Sequence, residues 1–240
     1  MTRFPRVWSL RLSVCLSLGV FACGGESPEP ARTGVPASAN DAAQPKAAPP
    51  PASVADERPR VVVLGDSLTE GLGLLAEEAF PALLQRRIDA EGLRYAVRNA
   101  GKSGDTSAGG LSRLELALEG DVRLLVVALG GNDALRGLPV DALERNLSMI
   151  IERAQQRDIR VVLAGMEAPP NFGESYIVSF RKVYANLAQR YMVALVPFLL
   201  QDVAGIESLN QRDGIHPTAE GSRQVADNVW SVLRPLLKDR

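Results

Sequence analysis

The residues able to do chemistry fall in two short segments. Near the first, the apolar run Val61-Val62-Val63-Leu64 stops abruptly at Gly65-Asp66-Ser67-Leu68. The second, Asp213-Gly214-Ile215-His216-Pro217, holds the only histidine of the 240-residue chain. Imidazole is the side chain whose ordinary titration lies nearest neutrality, so a general base working there has one candidate, His216. Asp213 precedes it by three residues in a turn made tight by Gly214. A carboxylate so placed can reach ring Nδ1 and leave Nε2 for a serine hydroxyl. With Ser67 as that hydroxyl, the three residue types supply a nucleophile, a base and the group that orients the base. Each segment also has a plainer reading, Asp66-Ser67 as a helix cap and a lone histidine as a structural residue.

Positioning these groups requires a scaffold, and hydrophobic periodicity supplies one. Three β-branched residues and a leucine between a charge and a glycine predict a buried strand of a parallel sheet over Val61–Leu64. Similar runs predict strands at Tyr95–Asn99, Leu124–Leu129, Arg160–Ala164 and Ala194–Pro197. Amphipathic helices are expected between them at Phe80–Glu91, Gly109–Glu119, Val140–Arg157 and Tyr176–Arg190. A last helix at Thr218–Leu237 would bury a stripe of Val225, Val229, Val232 and Leu236. Strands alternating with helices at this spacing predict an α/β fold, a three-layer α/β/α sandwich around a five-stranded parallel sheet. Ligands of such sheets bind beyond the carboxyl ends of the strands, where Ser67 would stand.

Two further loops open at that same edge. One follows Asn99 as Ala100-Gly101-Lys102-Ser103-Gly104-Asp105-Thr106-Ser107, and the other follows Leu129 as Gly130-Gly131-Asn132-Asp133. Taken with the segments around Ser67 and His216, these blocks make the chain resemble the SGNH hydrolases, also called the GDSL esterases and lipases. Four blocks in order are far more specific than any one of them. Ser103-Gly104-Asp105-Thr106-Ser107 and Gly130-Gly131-Asn132-Asp133-Ala134-Leu135-Arg136-Gly137 are similar to the wording of the bacterial thioesterase, lysophospholipase and arylesterase subgroup. The resemblance spans Arg60 to the C-terminus.

The resemblance implies a flavodoxin-like sheet and a serine hydrolase cleaving esters or thioesters through an acyl-enzyme on Ser67. His216 would act as base and then acid, and Asp213 would orient it. The oxyanion hole would comprise the N–H groups of Ser67 and Gly104 and the Asn132 side-chain amide, with no metal and no cofactor. Losing one such donor typically costs on the order of 3 kcal/mol of transition-state stabilisation. Apolar residues in or near the loops, Leu72, Leu74, Leu135, Leu138, Pro169, Pro170, Phe172 and Ile215, are expected to wall the substrate pocket, although several could equally be core. Lys102 lies beside the oxyanion turn, where a cation would favour anionic substrates; a solvated lysine is the alternative. An O-acetyl esterase acting on carbohydrate and a non-catalytic binding lipoprotein are the competing functional readings.

Two nucleotide-binding look-alikes fail on spacing. Gly71-Leu72-Gly73-Leu74-Leu75-Ala76 starts seven residues after the predicted strand rather than directly at its end, and Gly101-Lys102-Ser103 has Ala96 where a phosphate loop requires glycine. A net charge of -1 argues against a nucleic-acid partner. The domain is expected to act as a monomer.

The first sixty residues read differently from the rest. Arg3, Arg6 and Arg11 precede an apolar segment, Leu12 to Ala22, that is too short for a permanent bilayer span and predicts a signal peptide over residues 1–22. Val20-Phe21-Ala22-Cys23 resembles a bacterial lipobox, which implies lipid on Cys23 and an exported protein anchored to a membrane. An ordinary cleaved signal is the alternative. The only other cysteine, Cys15, lies inside the segment to be removed, so the mature domain has no disulfide available. Eight of the 16 prolines fall between Gly24 and Pro59 among many alanines. Such sequence cannot offset its ordering entropy by burial, so residues 23–59 are expected to be a tether and residues 60–240 the hydrolase domain.

Overall fold

The structure, a computed structural model, describes residues 57–238. The signal segment, Cys23 and nearly all of the tether lie outside the described residues. Strand β1, Arg60–Gly65, forms because its Val-Val-Val-Leu run is apolar on both faces and is wholly buried. Four more strands join it in parallel: β2 (Ala96–Gly101), β3 (Val122–Ala128), β4 (Arg160–Ala164) and β5 (Ala194–Val196), in the order β2-β1-β3-β4-β5. The predicted five-stranded parallel sheet is therefore the observed one. In this strand order the direction of winding reverses between β1 and β3, and a crevice opens beyond their carboxyl ends.

Helices cover both faces. Long helices α2 (Phe80–Ala90) and α8 (Ala219–Lys238) pack together, while α6 (Val140–Gln155) packs with α7 (Glu174–Tyr191) and with the short α3 (Ser107–Ser112). Three shorter helices are α1 (Ser67–Glu70), α4 (Leu114–Ala117) and α5 (Gly131–Leu135). The core joins the sheet to both layers, with Leu84 and Ile88 of α2, Leu147 and Ile151 of α6, and Val229 and Leu233 of α8 fully covered. Among the described residues no helix is long and apolar enough to cross a membrane.

Three expectations require correction. The helix predicted at Gly109–Glu119 is instead α3 and α4, separated at Arg113, whose guanidinium is drawn toward the sheet. It also begins two residues earlier, because the Thr106 hydroxyl accepts from Gly109 N–H and caps it. The second strand runs two residues beyond Asn99, through Gly101, since its ladder with β1 continues to Gly65. In α8 the buried stripe is Val225, Ala226, Val229, Leu233 and Leu237; Val232 and Leu236 are only half-buried. The buried row steps by four residues from Val225 to Leu237, a ridge that winds slowly round the helix, whereas a strict 3.6-residue repeat selects Val232 and Leu236.

Candidate active site

The nucleophile turn is shaped by close packing at the end of β1. A Cβ on Gly65 would come within 1.9 Å of Thr69 Oγ1 and 2.8 Å of the Ala128 carbonyl, so only glycine lets α1 turn back this sharply. Asp66 then caps α1, its Oδ1 accepting from Leu68 N–H at 3.0 Å. The plainer reading of Asp66 as a cap is thus correct, and it coexists with a reactive Ser67 at the first helical position.

Ser67 Oγ lies 2.9 Å from His216 Nε2, and His216 Nδ1 lies 2.6 Å from Asp213 Oδ2. With Nδ1–H donated to the carboxylate, Nε2 is left to accept the serine proton. The turn holding Asp213 is self-bonded: its Oδ1 accepts from Ile215 N–H at 2.9 Å and His216 N–H at 3.0 Å. These donors, led by the imidazole, pull the Asp213 carboxyl down to about 2. The loop is docked by Gln211, whose Nε2 donates to Leu72 O at 2.7 Å and Pro217 O at 2.9 Å, and by Gln211 N–H to His216 O at 2.7 Å.

Across from the triad the other two loops converge. Gly104 takes φ +81°, a left-handed conformation that side chains disfavour, and among the described residues its N–H donates to no protein acceptor. Ser67 N–H is likewise unpaired. Asn132 Nδ2 donates to Asp105 O at 3.0 Å and faces Asp66 Oδ2 at a looser 3.4 Å. Burial pushes the Asp66 carboxyl up to about 6, against the opposing pull of Leu68 N–H, Asn132 and His216. The chain thus brings Ser67, Asp213, His216, Gly104 and Asn132 to one place.

Charged groups that sequence reasoning did not single out hold these loops. Arg113 donates to Asp105 Oδ2 at 2.6 Å, to Ala100 O at 2.8 Å and to Gly65 O at 2.8 Å, clipping the ends of β1 and β2 to the loop before α3. The pair is largely buried, at 20% and 12% side-chain exposure. Buried Asp133 accepts from Ser107 N–H at 2.7 Å and from Ser107 Oγ–H at 2.5 Å, tying α5 to α3. Lys102 is exposed and outside the groove; the cation beside Gly104 is Arg136, whose Nη2 donates to Gly104 O at 2.8 Å.

A groove of about 540 Å³ opens beside Ser67. Of the expected walls, Leu72, Leu135, Pro169, Pro170 and Ile215 line it, with Leu72, Leu135 and Ile215 at exposed positions. Leu138, Phe172 and Leu74 do not line it. Phe172 instead packs against the Tyr176 ring at 5.3 Å, and Leu138 offers its carbonyl to Tyr176 Oη–H at 2.9 Å, so both support the loop from behind. Leu74 borders a small crevice against Phe80 and Pro217. The walls that were missed, Met166 and Ala168 after β4 and Phe198 and Leu200 after β5, follow the carboxyl ends of those strands. The rule used for the first three strands, applied to the last two, would have found them. Among the described residues no group of three or more His, Cys, Asp or Glu is placed to hold a metal ion.

Residues 63–224 match the GDSL-like lipase/acylhydrolase family. The chain is 44% identical over 178 residues to Esterase TesA of Pseudomonas aeruginosa, covering 74% of this chain and 89% of that protein. It is 35% identical over 178 residues to Thioesterase 1/protease 1/lysophospholipase L1 of Escherichia coli K12, covering 74% and 84%. Among solved structures, a psychrotrophic esterase EstA from a Pseudoalteromonas species, inhibited by monoethylphosphonate, superposes with a TM-score of 0.71 at 31% identity, covering 75% of this chain and 99% of that one.

Proposed function

The chain belongs to the GDSL-like lipase/acylhydrolase family, the SGNH hydrolases, and from that premise we propose that it hydrolyses carboxylic esters and thioesters with an apolar acyl or aryl part, through an acyl-enzyme on Ser67. The observation that carries this reading is the 2.9 Å approach of Ser67 Oγ to His216 Nε2, beside N–H groups of Ser67 and Gly104 that have no acceptor among the described residues, at the edge of an apolar groove.

The geometry supports the following course. Ser67 Oγ attacks the acyl carbon as its proton passes to His216 Nε2, and Asp213 holds the resulting imidazolium through Nδ1–H. The carbonyl oxygen becomes an oxyanion received by Ser67 N–H, Gly104 N–H and the Asn132 amide, whose contact with Asp66 is a loose 3.4 Å. Collapse of the tetrahedral species expels the alcohol or thiol, which takes the proton back from His216. Water then attacks the acyl-Ser67 ester with His216 again as base, releasing the acid and restoring the serine.

Met166, Phe198 and Leu200 would receive the acyl chain. Each methylene that stays buried in the transition state contributes about 0.8 kcal/mol, so kcat/KM should climb from aryl acetate to butyrate and onward until the groove is full. The test measures the full-length protein on aryl acetate, butyrate and octanoate, a thioester and a peracetylated sugar, with Ser67→Ala beside it. A Ser67→Ala protein that keeps near-normal activity sinks the mechanism. Preference for the sugar, without gain from acetate to butyrate, moves the substrate to acetylated carbohydrate.

The lipobox at Cys23 and the proline-rich segment after it support a second part of the proposal, that the domain works tethered to a bacterial membrane from outside the cytoplasm. A lipid-linked chain should partition with membranes while Cys23→Ser stays in the soluble fraction. Identical partitioning of the two would leave only a secretion signal.

A further inference from the structure

Helix α1 carries two groups that each reach a loop of the site. Ser67 is its first residue and Glu70 its last, one turn apart. Glu70 Oε2 accepts the Ser103 N–H at 2.7 Å and also, more closely still, the Ser103 Oγ–H, so one carboxylate oxygen holds both donors of the residue just before Gly104. These two bonds keep the Glu70 carboxyl below its usual range.

The contact is one end of a continuous seam. A Cβ on Gly101 would stand 2.2 Å from Glu70 N, so β2 ends flush against the α1 backbone. Asn99 Nδ2 donates to Thr69 O at 2.9 Å, and Asn99 Oδ1 accepts from Gly101 N–H at 2.8 Å. On the far side of the turn Arg136 holds Gly104 O. The peptide between Ser103 and Gly104 is therefore fixed by a carboxylate before it and a guanidinium after it, and the Gly104 N–H within it has no acceptor among the described residues.

We propose that Glu70 is a positioning residue of the oxyanion hole, fastening the Ser103-Gly104 turn to the helix that carries the nucleophile, so that the donors of Ser67 and Gly104 move as one body. The inference rests on the reading of Ser67 and Gly104 given above. Its physical basis is that an oxyanion donor works only if it is already in place when charge develops, and a displacement of about 1 Å can cost a hundredfold. Glu70 is exposed, and exposed polar contacts contribute little to global stability. Its removal should be felt by the chemical step and hardly at all by the fold.

The test uses the full-length protein, with Glu70→Ala and Glu70→Gln assayed on aryl butyrate and amide hydrogen exchange read at Ser103. Glu70→Ala should lower kcat about tenfold with KM changed less than about twofold, because the lost interaction acts in the transition state. Glu70→Gln keeps an acceptor for Ser103 and should recover most of that loss. The Ser103 amide should exchange at least about tenfold faster in Glu70→Ala than in the parent, and Tm should move by less than about 2 °C. A kcat within twofold of the parent overturns the proposal, as does a change confined to KM. A kcat loss accompanied by a Tm fall beyond about 5 °C overturns it too, since Glu70 would then support the fold. Failure of the esterase reading shows separately, as a parent protein no more active than Ser67→Ala; the exchange rate at Ser103 still judges the clamp in that case.

Discussion

Ser67 and His216 meet at 2.9 Å, yet the two halves of the site are built by opposite means. The acid–base half is local. Asp213, Ile215 and His216 bond one another within a four-residue turn, Asp213 remains 46% exposed, and Gln211 docks the turn to its neighbours. The nucleophile and oxyanion half is assembled from β1, β2, β3 and the helices after them. Beneath the exposed contacts of Glu70 and Arg136 it rests on groups taken out of water: Asp66 and Asp133 are each 2% exposed, and the Arg113–Asp105 pair is largely buried. The difference follows from the work each half does. A base must accept and return a proton and tolerates small motion, whereas donors to an oxyanion act through fixed geometry.

This contrast predicts where function and stability separate. The largest effect should come from the half with no redundancy: His216→Ala should lower kcat by about 10⁴-fold or more, as no other histidine can substitute. Retained activity in that variant would end the assignment of the base. Asp213→Asn should follow, with a loss of about 10²–10⁴-fold from the disturbed imidazole tautomer. Its turn is exposed, so Tm should change by less than about 2 °C in a thermal melt at neutral pH. Asn132→Ala should cost about 10²–10³-fold in kcat with KM little altered, the signature of a donor used only in the transition state.

Among the buried groups of the clamped side, unlike exposed Glu70, the same size of change should reach the fold. Arg113→Met leaves Asp105 charged and largely buried, and breaking such a pair costs about 3 kcal/mol, or roughly 6–12 °C in Tm for a domain of this size. A Tm loss no greater than that of Asp213→Asn would erase the contrast between the two halves.

The last effect is spread over pH rather than read at one condition. Asp66 has its folded-state pKa raised from 3.8 to about 6 by burial, so its contribution to stability is fully present below about pH 4 and lost as pH rises through about 6. Asp213 has the opposite sign, with a pKa lowered to about 2: its contribution, kept small by solvent screening at 46% exposure, is present above about pH 4 and disappears as pH falls through about 2. Asp66→Asn should therefore flatten the stability profile between pH 4 and 6 and raise stability at pH 7 by at most about 3 kcal/mol. Denaturant midpoints at pH 4, 5, 6 and 7 measure this directly, and an unchanged slope would contradict the burial argument.

The legible parts of this protein were those written within a few residues of one another. The run Val61–Leu64 predicts a strand buried on both faces because nothing in it tolerates water, and the Asp213-Gly214-Ile215-His216 turn can be drawn from its own sequence because its hydrogen bonds are local. Four ordered blocks were enough to connect Ser67, Gly104, Asn132 and His216 to one family. Element ends were less legible: Arg113 breaks a run that reads as one helix because its side chain finds three acceptors on residues 8 to 48 positions away.

What only the tertiary structure decided is which charges hold the site and which apolar residues face the groove. Glu70 and Ser103 are 33 residues apart and Asp105 and Arg113 eight apart, and nothing in either spacing distinguishes such a contact from a solvated surface pair. Leu138 and Phe172 have the same apolar character as Leu135 and Pro169, yet the first two back the loop and the second two line the groove. Sequence pattern specifies that a residue is apolar and how often such residues recur. Which surface a loop side chain then covers depends on the path of its backbone over neighbouring elements, which periodicity does not encode.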